Sequence, residues 1–225
     1  MAPRPSRPER DEALLVLARA AKGFMPDAEG LALRDAAVRA GRAAPTPATL
    51  MEIGAWCGKS TVYLGAAAEA TGAVLFSVDH HHGSEENQSG WVHHDDTVVD
   101  ATSGRIDTLP FWRRTVDGAG LGASVVGMVG DSPTIAAHWR TPLDFCFIDG
   151  GHGAVPAWAD FRGWAPHVAT DGWLAIHDVF PDPADGGRPP FELWTAALRS
   201  GEFVEDGECG SLRILRRVAA PGAVR

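Results

Sequence analysis

The sequence predicts an α/β fold: a doubly wound, mostly parallel sheet of seven strands, covered by helices and finished by an antiparallel last strand. Two observations predict it. From residue 49 onward, apolar runs of about five residues alternate with segments of helical periodicity, the pattern of strands buried on both faces. Each of the first five runs then gives way to glycine, an acid or histidine, as expected where right-handed crossovers gather ligand-binding residues at the carboxyl ends of the strands.

The elements follow in order. Residues 1–10 are rich in Pro and Arg, lack the apolar stretch of a signal peptide, and read as a disordered tail. Residues 11–225 read as a single domain, with N-terminal helices across 11–45. Leu14, Leu15, Leu17 and Ala18 give 11–22 an apolar face, and Asp27 is placed to cap a second helix that Gly41 and Pro45 stop near Ala40. Strands are predicted at 49–53, 74–78, 124–129, 144–148 and 172–176. The helices between them span about 60–70, 111–119, 133–139 and 154–165. A helix at 191–200 precedes the last strand, 211–215, with 203–207 as its partner. The polar stretch 80–110 reads as an active-site lid, because loops of that length are usually functional or disordered.

Composition narrows the function. The chain has 225 residues and a net charge of −9, with no basic cluster beyond Arg113-Arg114 and Arg216-Arg217. Nucleic acid and anionic membrane are therefore excluded as expected partners. No apolar run approaches the roughly 18–20 residues of a membrane span. Cys57, Cys146 and Cys209 lack metal-type spacing and read as reduced thiols of a cytoplasmic protein.

The residues after the strands carry the chemistry. Glu52-Ile53-Gly54-Ala55-Trp56-Cys57-Gly58-Lys59-Ser60 combines turn-forming glycines with a helix N-terminus. Trp56 breaks the Gly-x-Gly-x-x-Gly pattern, which argues against a pyrophosphate and hence against a nicotinamide-dependent oxidoreductase. Asp79 can accept from ribose hydroxyls or cap a helix. Gly130-Asp131-Ser132-Pro133 can meet an adenine edge or simply cap. Asp149-Gly150-Gly151-His152 and His177-Asp178 end two strongly apolar strands, so Asp149, His152, His177 and Asp178 converge. Such a set suits a divalent cation or acid–base work, which a non-catalytic binding module would not need.

The Glu52–Ser60 motif resembles class I S-adenosylmethionine-dependent methyltransferases of the catechol O-methyltransferase type, which share a Rossmann-like sheet. Met25-Pro26-Asp27-Ala28-Glu29-Gly30 resembles the cofactor-lid segment, Val129-Gly130-Asp131-Ser132 the adenine-side loop, and Phe147-Ile148-Asp149 the strand that carries a metal-binding Asp. The likeness spans about residues 24–217. It implies an O-methyltransferase in which Met25, Glu52, Gly54, Trp56, Gly58, Ser60, Asp79, His80, Gly130, Asp131, Ser132 and Asp149 contact S-adenosylmethionine. It further implies a magnesium or manganese ion on Asp149, His177 and Asp178, and His152 in the place of the family's basic lysine. His177-Asp178 departs from the usual Asp-Asn: either a histidine ligand points to a softer ion than magnesium, such as manganese or zinc, or Asp178 is the ligand and His177 supports the substrate. A metal-independent enzyme with His152 as base is the alternative.

His80-His81-His82 and His93-His94 fall within the lid, where no His-x-x-x-His spacing favours a metal site. The lid is expected to wall a small, hydroxyl-bearing acceptor, a sugar or natural-product intermediate, with Trp91 or Trp112 on its apolar face. Residues 181–190 form a second expected wall. A homodimer is the base-rate assembly.

Overall fold

The computed structural model describes residues 6–44, 47–91, 93–182, 184–220 and 222. Its seven strands are β1 (Thr49–Ile53), β2 (Val74–Asp79), β3 (Val125–Val129), β4 (Leu143–Ile148), β5 (Val168–Ile176), β6 (Phe203–Cys209) and β7 (Leu212–Arg217). They stand in the order β3-β2-β1-β4-β5-β7-β6. β1 to β5 are mutually parallel, and β7 runs antiparallel to both β5 and β6. The order reverses beside β1, between β2 and β4, which is where a doubly wound sheet opens a crevice.

Helices α1 (Arg7–Ala20), α2 (Asp27–Ala43), α3 (Lys59–Thr71), α4 (Leu109–Gly118), α5 (Ser132–His138), α6 (Ala154–Trp164) and α7 (Arg188–Arg199) cover the sheet. The strand alternation sorts the core into two layers. Phe145 and Phe147 of β4 pack with Leu14, Leu33, Tyr63 and Leu64. Cys146 and Ile148 face the other way, with Trp164, Leu193 and Leu215. Each fully buried apolar side chain of this size contributes about 1.5–3 kcal/mol. Among the described residues, no helix is long and apolar enough to cross a membrane.

The structure corrects three readings of the sequence. The first helix begins at Arg7, not after a disordered 1–10: Glu9 accepts the Ser6 backbone N–H at 2.8 Å, and Arg10 binds Glu69 at 2.8 Å and the Ala119 carbonyl at 2.7 Å. Polar composition hid a capped, anchored turn; residues 1–5 lie outside the described residues. Asp27 does not cap α2, since Pro26 holds that position and Asp27 faces Lys59 Nζ at 3.3 Å. The helix runs on to Ala43, and Pro45 falls outside the described residues. β5 starts at Val168, four residues before the expected start. Asp171 at φ +67° ahead of Gly172 mimics a turn, yet the chain absorbs it as an irregularity opposite Leu143 and Phe145.

Candidate active site

The carboxyl ends of β1, β2, β3, β4 and β5 open onto one cavity of about 1310 Å³. Its floor is the turn from β1 into α3. Gly54 there has φ +88°, and a Cβ would lie 2.1 Å from the Asp149 carbonyl oxygen, so only glycine fits. Gly58 (φ +96°) starts α3, and Trp56 also holds a left-handed φ of +48°. Asp79 shapes this turn: one carboxylate oxygen accepts the N–H groups of Ala55 and Trp56, each at 2.8 Å, and the other accepts His81 N–H at 2.7 Å.

Most expected cofactor residues border the cavity: Met25, Gly54, Trp56, Ser60, Asp79, His80, Gly130, Asp131, Ser132 and Asp149. Gly58 shapes the turn without lining it. Glu52 lies elsewhere. It is wholly buried beneath the turn, where Thr61 and Ser77 hydroxyls donate to it at 2.7 and 2.6 Å. Burial pushes its carboxyl up to about 7. Asp131 caps α5, accepting Thr134 N–H at 3.0 Å, and Ser132 accepts the Trp164 indole N–H at 2.8 Å. His80 is exposed on the rim, with its ring accepting His82 N–H at 3.0 Å.

At the other end of the cavity Asp149, His152 and Asp178 bring one ligand atom each within 4.8 Å of one another. His152 Nε2 is 3.0 Å from Asp178 Oδ2, and its Nδ1 is 3.0 Å from Glu86 Oε1. Nε2 is buried and has no aligned hydrogen-bond partner among the described residues. Burial pushes the imidazole down, but Asp178 and Glu86 outweigh it and raise it to about 10.

His177, expected to be a metal ligand, is not among the three residues whose ligand atoms converge. Both ring nitrogens are already engaged: Nε2 by Glu29 at 2.5 Å and Nδ1 by Asp149 at 3.1 Å. Burial disfavours its charge, yet Asp149, Asp178 and Glu29 prevail and hold it protonated, well above the usual range. Against its burial, His152 and His177 hold Asp178 below the carboxylate range, while burial raises Asp149. His177 is thus a cationic strut that fixes the two carboxylates.

Three residues of the site escaped sequence reading. Glu29 reaches His177 from α2 and also accepts Ser211 N–H at 2.8 Å. Glu86 braces His152 from the lid. Asp160 of α6 is buried against Gly150 and lines the cavity. For Glu29 one signal existed, an acid inside the resembling lid segment.

The lid forms short turns at Glu85–Asn87 and Asp96–Val98 and a bridge between Val99 and Ile106. Its histidines mostly hold the loop to itself: His81 with Thr108, His82 with the Ile106 carbonyl, His94 with the Asn87 carbonyl. Trp91 and His93 reach the cavity mouth, as do Phe180 and, from the second wall, Asp185, Gly186 and Gly187. Trp112 does not, for it is buried and donates to Thr61 at 3.1 Å.

This arrangement is that of a group-transfer enzyme with a nucleotide-sized cleft ending in an acid–histidine cluster. The family described as "Methyltransferase domain" matches residues 51–179, more than half of the chain, and the protein belongs to that family. Its fold is similar to that of the O-methyltransferase NovP (TM-score 0.71, 13% identity, 95% of this chain and 100% of that chain). It is also similar to CalS11, a calicheamicin methyltransferase (TM-score 0.59, 16% identity, 96% and 94%). A third likeness is to the O-methyltransferase TomG from Streptomyces achromogenes, solved with SAM (TM-score 0.59, 14% identity, 94% and 90%).

Proposed function

We propose that this methyltransferase uses S-adenosylmethionine to methylate a hydroxyl of a small molecule, assisted by a divalent cation. One observation carries the reading: the Asp149–His152–Asp178 cluster faces the same cavity as the Gly54–Gly58 turn. Two carboxylates with an imidazole between them fit a divalent cation. Asp149 and Asp178 would hold it, and His152 would join as nitrogen donor on giving up the proton that Asp178 and Glu86 stabilise, a mixed set that suits manganese better than magnesium. When bound, such an ion lowers the pKa of the acceptor hydroxyl. The cavity volume exceeds the usual range of about 300–1,000 Å³ for one ligand, which supports occupancy by cofactor and acceptor together.

The chain's own residues supply the rest. The Gly54–Gly58 turn lets the cofactor approach the backbone, and Asp79 keeps one lone pair free for a ribose hydroxyl. The acceptor oxygen attacks the sulfonium methyl, the C–S bond breaks and its electron pair stays on sulfur. Alignment of oxygen, carbon and sulfur supplies most of the acceleration. His152 stands where the hydroxyl proton departs. His152→Ala is expected to lower turnover by about 10²–10⁴-fold and leave S-adenosylhomocysteine affinity within a few-fold. Turnover that survives the substitution removes His152 from the mechanism.

A second reading is metal-independent, with His152 as base and Glu86 orienting its ring; because Asp178 and Glu86 raise the imidazole to about 10, it requires turnover to rise with pH toward 10. Chelator treatment of the active enzyme separates the two: loss of activity restored by manganese supports the cation. The CalS11 description as a TDP-rhamnose 3'-O-methyltransferase and the polar lid support a glycoside or other polyhydroxylated natural product as acceptor. The acidic composition supports the absence of nucleic-acid and membrane partners, and the three free cysteines support a cytoplasmic protein. A homodimer stays a proposal for sizing by light scattering.

A further inference from the structure

Asp160 is 5% exposed, sits on α6 and lines the cavity between the Gly130–Pro133 and Asp149–Gly151 loops. Two other carboxylates at this end already take backbone N–H groups of the protein. Asp79 takes three backbone N–H groups, and Asp131 takes the N–H and hydroxyl of Thr134. Asp160 has neither a backbone N–H nor an ion-pair partner among the described residues; only the Ser132 hydroxyl stands beside it. A buried carboxylate with vacant lone pairs is costly unless a donor fills them. A side chain at Gly150 would come within 2.5 Å of Asp160 Oδ2, so the glycine clears room for the carboxylate.

The cavity's order along the sheet says which donor. The reacting methyl must face Asp149, His152 and Asp178, at β4 and β5. Asp79, at β2, meets the ribose. The purine, joined to the far side of that ribose, then extends toward β3 and α5. There the walls are Gly130, Pro133, Pro156 and Ala159, small and apolar enough to sandwich a flat ring. We propose that Asp160 accepts a hydrogen bond from the exocyclic amine of the cofactor's adenine and thereby selects adenine over a 6-oxopurine. This rests on the S-adenosylmethionine reading above. Sequence inspection placed Asp131 and Ser132 near the adenine; Asp131 spends Oδ2 on Thr134, and Ser132 stands beside Asp160.

The probe is S-inosylhomocysteine, in which a carbonyl oxygen replaces the 6-amine. A carboxylate facing that oxygen repels it, and a buried site built for an N–H rejects such an analogue strongly. Calorimetry on the full chain at pH 8 keeps Asp160 ionised, since burial raises its carboxyl only to about 6. Wild type is expected to prefer S-adenosylhomocysteine by at least about 100-fold. Asp160→Asn, whose amide can turn its NH₂ to the carbonyl, is expected to shrink that preference below about tenfold, with circular dichroism unchanged. Equal binding of both ligands by wild type overturns the assignment, and this holds even if the variant fails to fold. A folded Asp160→Asn that keeps the wild-type ratio overturns it too. Absence of S-adenosylhomocysteine binding by folded wild type instead removes the cofactor reading itself, and this inference with it.

Discussion

Glu52 shows how an acid in a resembling motif can serve the scaffold while its neighbours serve the ligand. Two hydroxyls donate to one of its oxygens, and the other has no partner among the described residues. The folded protein therefore prefers the protonated form. Because the folded pKa is raised from 4.5 to about 7, the associated stability is present below pH 4.5 and is lost as pH rises through 7. A shift of that size corresponds to roughly 3 kcal/mol. Glu52→Gln keeps an acceptor for both hydroxyls and cannot ionise. It is expected to melt near wild type at pH 5 and several degrees above it at pH 8. Coincident melting curves at pH 8 would contradict a buried, ionising Glu52. Sequence reading put this residue beside the cofactor because spacing along a strand does not tell which face a side chain joins.

At the scale of elements, the β1–α3 turn controls the site. Gly54 and Gly72 both have positive φ, +88° and +76°, yet only Gly54 presses on backbone. Gly72→Ala should cost about 1 kcal/mol, the ordinary penalty of a left-handed alanine. Gly54→Ala should abolish cofactor binding or folding, because the Asp149 carbonyl cannot retreat without moving the acid–histidine cluster. Equal thermal shifts for the two variants would show that the turn tolerates displacement. The strands were legible in the sequence because each central strand is an apolar run of about five residues, as in Phe145-Cys146-Phe147-Ile148. Asp149, His152 and Asp178 were legible because strand ends in this topology share one edge. The Glu29–His177 contact was not: it joins residues 148 positions apart, and helical periodicity marks apolar faces, not a buried acid at a helix start.

At the scale of the whole molecule, α2, the sheet edge and the lid close on one another through charge. Glu29 holds His177, His177 holds Asp149, and Asp178 and Glu86 flank His152. Lys22, just after α1, adds a 2.5 Å ion pair with Asp95 of the lid. This enclosure is the proposed seat of S-adenosylmethionine. The measurement that tests it most directly is calorimetric titration of S-adenosylhomocysteine into the purified protein, beside NAD. It would be run as prepared and again after chelation with manganese or magnesium restored. Micromolar binding at one site per chain is expected, with none for NAD. Folded protein that binds no S-adenosylhomocysteine in any of these conditions would contradict it.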